Sequence, residues 1–249
     1  MHVAVSLSPG SRAADIAMFG PALGCYVVVD ILRASAVLCT ALANGAKEIL
    51  PVADVETAIS LKRDSSADAL LCGEREGRKL PGFDLGNSPT EYRRDVVTGH
   101  RLIYSSTNGS AALAAAPIGV EVIVAGLVNL SAAAEHVAST NLPTLIVCSG
   151  KLGQFALEDA VGAGALIAQL WQLDSDLELV NDGALTAQIL WDRYKSDPVM
   201  PLWQSEHGKY LIGLGFGADL SICAAIDSVP LVPVLREGRL VADGQSTAT

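Results

Sequence analysis

The chain has 249 residues, enough for one large domain or two small ones. Half of them are apolar and the mean hydropathy is +0.38, so a core is easily filled, yet no run of about eighteen uninterrupted apolar residues is present and no membrane span is expected. The formal charge of −10, from 27 acidic against 17 basic residues, argues against nucleic acid or an anionic membrane as the main partner.

Val3 to Leu7 reads as a strand followed by a Ser-Pro-Gly turn. The apolar run from Cys25 ends in Asp30, and a helical pattern begins within five residues and closes at Asn44-Gly45. A run of valines is a buried parallel strand, and Asn-Gly stops a helix. Glu48 to Val52 is a strand, and Asp54 caps a helix running to about Lys62. Ala69 to Cys72 is a strand that stops at Gly73. Ser88-Pro89-Thr90-Glu91 announces a helix with Ser at the N-cap, Pro at N1 and Glu at N3. Arg101 to Ser105 is a strand, with an alanine-rich helix opening at Thr107-Asn108-Gly109-Ser110. Glu121 to Ala125 and Thr144 to Cys148 flank a helix starting near Ser131, and helices follow over Glu158 to Trp171 and Gly183 to Tyr194. Pro198 to Gly217 and Leu220 to Ile226 are helical, and Leu231 to Leu235 pairs with Arg239 to Val241 as a terminal hairpin.

Strands and helices alternate nearly throughout, which predicts a three-layer α/β/α fold with a mostly parallel or mixed sheet. No Pro/Ser/Gly linker divides the chain, so residues 1–249 are read as one unit. The turns after Val29 and Ile103 look alike, as they would in two similar halves facing each other. The five cysteines are odd in number and scattered, without a CxxC pair, and the N-terminus has no basic segment leading into an apolar one. Buried thiols in a reducing cytoplasm are expected, with no signal peptide.

In open α/β sheets, ligands sit beyond the carboxyl ends of strands. Five polar clusters fall there. Asp30, Arg33 and Ser35 combine a carboxylate for a metal with a guanidinium for an oxyanion, or Asp30 simply caps the next helix. Asp30-Ile31-Leu32 fails the haloacid-dehalogenase pattern, because Leu32 stands where a second aspartate is needed. Gly73-Glu74-Arg75-Glu76-Gly77 is either a metal-binding or a salt-bridged turn. In Gly82 to Glu91 the cap explains Ser88 and Glu91, but not the demanding loop through Asn87. Ser105 to Ser110 offers hydroxyls and free N–H groups at a helix start, suited to an anion or to plain capping. The fifth cluster is Ser149-Gly150-Lys151, with Glu158-Asp159 opening the next helix, where the dipole alone favours acids. His207 is the one histidine in a motif-like setting, and neither a histidine zinc site nor a GxSxG elbow is supported.

Taken together, Val29-Asp30-Ile31-Leu32-Arg33-Ala34-Ser35, Gly73 to Gly77, Phe83 to Glu91, Thr107 to Ser110, Leu157-Glu158-Asp159, Ser205-Glu206-His207-Gly208 and Cys223 to Asp227 resemble the 2-phosphosulfolactate phosphatases, the ComB-like family. Ser35 and Ser110 stand where threonine is common in that family, which keeps a hydroxyl. The resemblance implies a magnesium-dependent hydrolase converting 2-phospho-3-sulfolactate to 3-sulfolactate and phosphate, a step toward coenzyme M. It also implies a fold of two intertwined, similar halves. Mg2+ would be held by Asp30, Glu74, Glu158 and Asp159. Arg33, Ser35, Asn87, Ser88, Thr107, Asn108, Gly109 and Lys151 would bind the anionic phosphate ester. Two other readings stand beside this one: a non-catalytic binder or sensor of a small organic anion, and a broader phosphomonoesterase. Monomer and homodimer are both open.

Overall fold

The computed structural model describes residues 1–65 and 68–244. The chain starts with β1 (His2–Ser6), α1 (Arg12–Phe19), β2 (Cys25–Val29), α2 (Ala34–Ala43), β3 (Glu48–Pro51) and α3 (Val55–Asp64). It continues through β4 (Ala69–Arg75), β5 (Arg78–Lys79), α4 (Arg94–Val97), β6 (Arg101–Ser105), α5 (Gly109–Ala114), β7 (Glu121–Ala125), α6 (Leu130–Thr140) and β8 (Thr144–Cys148). The last third holds α7 (Leu157–Leu173), β9 (Glu178–Leu179), α8 (Asp182–Tyr194), α9 (Met200–Gln204), α10 (Glu206–Gly213), α11 (Gly217–Cys223), β10 (Pro233–Arg236) and β11 (Arg239–Ala242).

The strands form one mixed sheet of 11 in the order β5-β4-β6-β3-β11-β10-β7-β2-β8-β1-β9. One parallel block is β4-β6-β3 and the other is β7-β2-β8-β1-β9. The antiparallel hairpin β10–β11 is wedged between them, pairing with β7 on one side and β3 on the other. The chain crosses between the blocks twice, after β2 and after β6, before the hairpin joins them, so the two are interwoven. In a flat sheet the hairpin would send the carboxyl ends of the two blocks in opposite directions. Twist of roughly 20–25° per strand step accumulates over the steps separating β6 from β2. The turns after those two strands do meet, as the contacts below show.

Helices cover both faces. Tyr26, Val28, Val122, Val124, Leu145 and Val147 point to one face, where Val37, Leu38 and Leu42 of α2 and Leu113 of α5 cover them. Val27, Val29, Ile123 and Ile146 point the other way, against Leu166, Ile167 and Leu170 of α7 and Val137 of α6. A smaller core joins Ala58 of α3 to Leu71, Phe83 and Ile103. β2 is buried at every position, as expected of a central parallel strand with helices on both sides. Among the described residues no helix is long and apolar enough to cross a membrane, and all five cysteines are free and buried.

Three local expectations need correction. β4 does not stop at Gly73; it runs to Arg75 and turns back as β5. The Ser88 capping box forms, but it opens one turn of 3-10 helix over Pro89–Glu91 instead of a longer helix. The chain leaves that turn because Tyr92 is fully buried and its hydroxyl donates to the Gly86 carbonyl at 2.7 Å. The sequence reading also assigns no element between Leu7 and Cys25, where α1 lies; Ile16 and Phe19 of that helix dock against the α2-side core.

Candidate active site

The turn after β2 is tied from several directions. Ala34 N–H donates to Asp30 Oδ1 at 3.1 Å, and Asp30 N–H donates to Ser35 Oγ at 3.0 Å. The Ser35 hydroxyl in turn donates to the Ala125 carbonyl of β7 at 2.7 Å. Ser35 is therefore a buried latch between two strand ends rather than a cavity group. Asp30 holds the first N–H of α2, although Arg33 occupies the N-cap position, and it also lines the main cavity, so the structural and the functional readings hold together. Asp30 Oδ2 takes no hydrogen bond among the described residues. Burial pushes the Asp30 carboxyl up to about 6, with Glu74 and Glu158 adding to the shift and His207 and the Ala34 N–H opposing it.

Arg33 is 1% exposed, and its Nη1 donates to Asp219 Oδ2 at 2.7 Å. Its Nη2 donates to the Gly77 carbonyl at 2.9 Å, and its guanidinium lies 4.3 Å from the centroid of the Phe216 ring. Ser88 Oγ donates to Asp219 Oδ1 at 2.8 Å. Ser88 thus braces the carboxylate that holds Arg33 and does not itself line the main cavity. Asp219, in the first turn of α11 and 186 residues from Arg33 in sequence, had no local signal beyond an acid favoured by a helix start.

Across the cavity, Glu74 Oε1 accepts from Thr107 N–H and Oε2 from Gly77 N–H, each at 2.8 Å. The two parallel strands behind it approach so closely that a Cβ on Gly73 would lie 2.0 Å from the Ser105 carbonyl oxygen, at a φ of +147°. Only glycine fits there. The Ser106–Asn108 turn lines the cavity, with the Thr107 hydroxyl buried and without a partner among the described residues. Gly109 is a point of close contact between the two strand-end turns: a Cβ there would sit 2.9 Å from Asp30 Oδ2 and 2.8 Å from the Ala34 Cβ. Asn87 reaches the cavity wall and accepts a hydrogen bond from the Tyr104 hydroxyl.

The acids of α7 take separate roles. Asp159 accepts from Ile31 N–H at 2.8 Å and Gly150 N–H at 2.9 Å, stitching the β2–α2 turn to the β8–α7 loop. Burial pushes its carboxyl above the usual range, helped by Glu158 and Asp30, against those two N–H bonds. Glu158 is 1% exposed; Oε1 bonds to His207 Nδ1 at 3.1 Å and Oε2 is buried without a partner. His207 lines both the main cavity and an adjoining one that Glu158 also lines. Ser205 positions it by capping α10, its hydroxyl oxygen accepting from Gly208 N–H at 2.9 Å.

These side chains surround a cavity of about 300 Å³ that is also lined by Leu32, Glu76, Lys151, Leu152, Tyr210 and Leu211. That is the size of a small-molecule site, at the low end of the usual range. Asp30, Arg33, Glu74, Asn87, Thr107, Asn108 and Lys151 of the sequence-predicted set line it, whereas Ser35, Ser88, Gly109, Glu158 and Asp159 stand behind or beside it. Among the described residues no three His, Cys, Asp or Glu side chains cluster tightly enough to cage a metal by themselves. The histidine reading passed over His207 as a site member, although its Ser-Glu-His-Gly setting was the available clue.

The family model described as 2-phosphosulpholactate phosphatase matches residues 17–238. The chain is 39% identical over 213 residues to a probable 2-phosphosulfolactate phosphatase of Caldanaerobacter subterraneus, covering 85% of this chain and 88% of that protein. It is 41% identical over 220 residues to a protein of the same name from Carboxydothermus hydrogenoformans, covering 87% and 89%. A third, from Thermosynechococcus vestitus, is 40% identical over 214 residues, covering 84% and 88%. With a match that takes in every residue lining the cavity, the chain belongs to the 2-phosphosulpholactate phosphatase family, a family of phosphoric monoester hydrolases.

Proposed function

We propose that this chain hydrolyses 2-phospho-3-sulfolactate to 3-sulfolactate and phosphate, with Mg2+ bound during turnover. The observation that carries the reading is the placement of Asp30: a buried carboxylate with a free oxygen, at the carboxyl end of the central strand, facing the Ser106–Asn108 turn across a small cavity.

The donor set fits magnesium. Mg2+ is commonly held by one or two carboxylates, completing its shell with waters and substrate phosphate. Glu74 and Asp159 have both oxygens engaged by backbone N–H groups, which supports a positioning role for each. Asp30 Oδ2 in the main cavity and Glu158 Oε2 beside the adjoining one are left without a hydrogen bond among the described residues, which favours these two of the four acids as ligands. When bound, the ion would polarise a phosphoryl oxygen and offset the charge of the ester.

The chain's own groups do the rest. Arg33, held flat by Asp219, Gly77 and Phe216, keeps further N–H donors for the phosphoryl oxygens. The unpartnered Thr107 hydroxyl supplies another donor at the opposite wall. A carboxylate only accepts, so His207 donates through Nδ1 to Glu158, which makes Nε2 the proton acceptor. Water attacking phosphorus gives its proton to Nε2, and the imidazolium returns it to the leaving alkoxide. The five buried free thiols support a reducing compartment, the cytoplasm. The test is phosphate release from 2-phosphosulfolactate with magnesium and after chelation. Binding without turnover in both conditions would leave a small-anion sensor and end the phosphatase reading.

A further inference from the structure

The cavity is not a positive site. Three carboxylates line it, from Asp30, Glu74 and Glu76, against two permanent cations, Arg33 and Lys151. Arg33 is neutralised in place, since Asp219 lies 2.7 Å from Nη1 and both side chains are buried. The other basic residues nearby do not line the cavity. Arg75 donates to the carbonyls of Glu74, Ser105 and Ala53 and to the Ser105 hydroxyl oxygen. Lys79 donates to the Asp84 carbonyl at the surface, and Arg78 stands exposed on the edge strand β5. Like them Lys151 pairs with no carboxylate among the described residues, but it alone of the four lines the cavities, bordering both adjoining ones.

Lys151 is also held in position. The Lys151–Gln154 turn is closed by Lys151 N–H to the Gln154 carbonyl at 3.0 Å and Gln154 N–H to the Lys151 carbonyl at 2.9 Å. Gly150, at a φ of +70°, enters that turn so tightly that a Cβ would lie 2.3 Å from the Gln154 carbonyl oxygen. Leu152 N–H donates to Asn108 Oδ1 at 3.2 Å, which ties the same loop to the anion-binding turn after β6. The ammonium lies 4.9 Å from the centroid of Tyr210, and the Tyr210 hydroxyl donates to the Glu76 carbonyl at 3.0 Å. An uncompensated cation on a fixed aromatic platform is preorganised for a ligand anion.

Resting on the phosphatase reading above, we propose that Lys151, seated on Tyr210, is the specificity-determining residue that reads the sulfonate of the substrate. The phosphate belongs at the Asp30 and Ser106–Asn108 end. A sulfonate keeps its single charge at any working pH and accepts through three oxygens, which suits a lysine's point charge.

The test uses Lys151→Met, which keeps an unbranched stem over Tyr210 and removes the charge, with Lys151→Arg as the charge-conserving control. kcat/KM is measured for 2-phosphosulfolactate, for phospholactate, which lacks the sulfonate, and for 2-sulfoethyl phosphate, which lacks the carboxylate. The preference for 2-phosphosulfolactate over phospholactate should fall roughly 10-fold in Lys151→Met, because Lys151 is half-buried and a partly solvated charge pair is worth less than a fully buried one. Lys151→Arg should restore part of it, and 2-sulfoethyl phosphate should suffer as the natural substrate does. An unchanged preference, or equal losses on all three esters, overturns the assignment. Calorimetric binding of 3-sulfolactate against lactate gives a readout without turnover. Lys151-dependent binding of 3-sulfolactate by a protein that hydrolyses none of the esters would sink the phosphatase reading and keep this one. Equal binding of both acids by wild type and variant would sink this one alone.

Discussion

Replacing Asp30 by asparagine should abolish catalysis and yet make the metal-free protein more stable at neutral pH. Burial raises the Asp30 carboxyl from 3.8 to about 6, a shift of about 2 pH units. At 1.36 kcal/mol per unit, that corresponds to roughly 3 kcal/mol. The direction follows from linkage. Well below pH 3.8 the group is protonated in both folded and unfolded chains, and its neutral form costs the fold nothing. As pH rises, the unfolded chain ionises first and is favoured, so the stability associated with this group is lost progressively through pH 6. Asparagine has no proton to lose, and its oxygen can still accept from the Ala34 N–H that Asp30 Oδ1 engages at 3.1 Å. Urea unfolding of wild type and Asp30→Asn in chelator, at pH values from 3 to 7, should show stabilities that converge toward pH 3. The variant should gain about 3 kcal/mol by pH 7, equivalent to a Tm rise of roughly 6–12 °C for a chain of this length. Saturating Mg2+ should narrow the gap, because only the carboxylate gains from the ion. A variant no more stable than wild type at pH 7, or a gap that does not change with pH, would refute the buried-carboxylate argument.

Chelation should abolish phosphate release and Mg2+ should restore it; activity surviving both chelation and Asp30→Asn would remove the metal role. Intact-mass analysis during turnover should detect no phosphoryl adduct, since water is the proposed nucleophile, and an adduct on Asp30 would replace that step with a phospho-aspartyl route. Asp219→Ala strands the buried Arg33 charge and also unpairs Ser88, so it should cost about 3–5 kcal/mol in chemical denaturation and lower kcat; an effect below about 1 kcal/mol would mean that Arg33 does not depend on the pair. Gly109→Ala places a methyl 2.9 Å from Asp30 Oδ2 and should reduce kcat/KM by an order of magnitude or more, whereas wild-type kinetics would mean that the two turns are free to separate.

Much of this protein was legible locally. The valine run of β2, the Asp54 cap of α3 and the Glu237-Gly238 turn between the terminal strands are decided by neighbours in sequence, because capping, turn chemistry and hydrophobic period act over a few residues. The same holds for Asp30, which the end of an apolar strand delivers to the ligand edge of the sheet. The chemical types in the clusters were likewise readable, but which of them face the cavity was not. Ser35 and Ser88 carry hydroxyls in suggestive positions, yet one latches β7 and the other braces Asp219.

Tertiary structure alone decided the partnerships. Arg33 meets Asp219 across 186 residues, Glu158 meets His207 across 49, and Asp159 reaches Ile31 across 128. No periodicity encodes such pairs; they form because β2 and β8 lie side by side and α7 packs on both, with the later helices folded back over the same strand ends. The β10–β11 wedge brings Gly109 against Asp30, and it is this contact that turns two separate strand-end motifs into one site. From its own residues the sequence determined which groups would do chemistry and roughly where on each strand they sit, since those are short-range properties. Which acids stay open to a cation and which cation stays unpaired depended on burial and on hydrogen-bond competition, and those are set only when distant segments pack together.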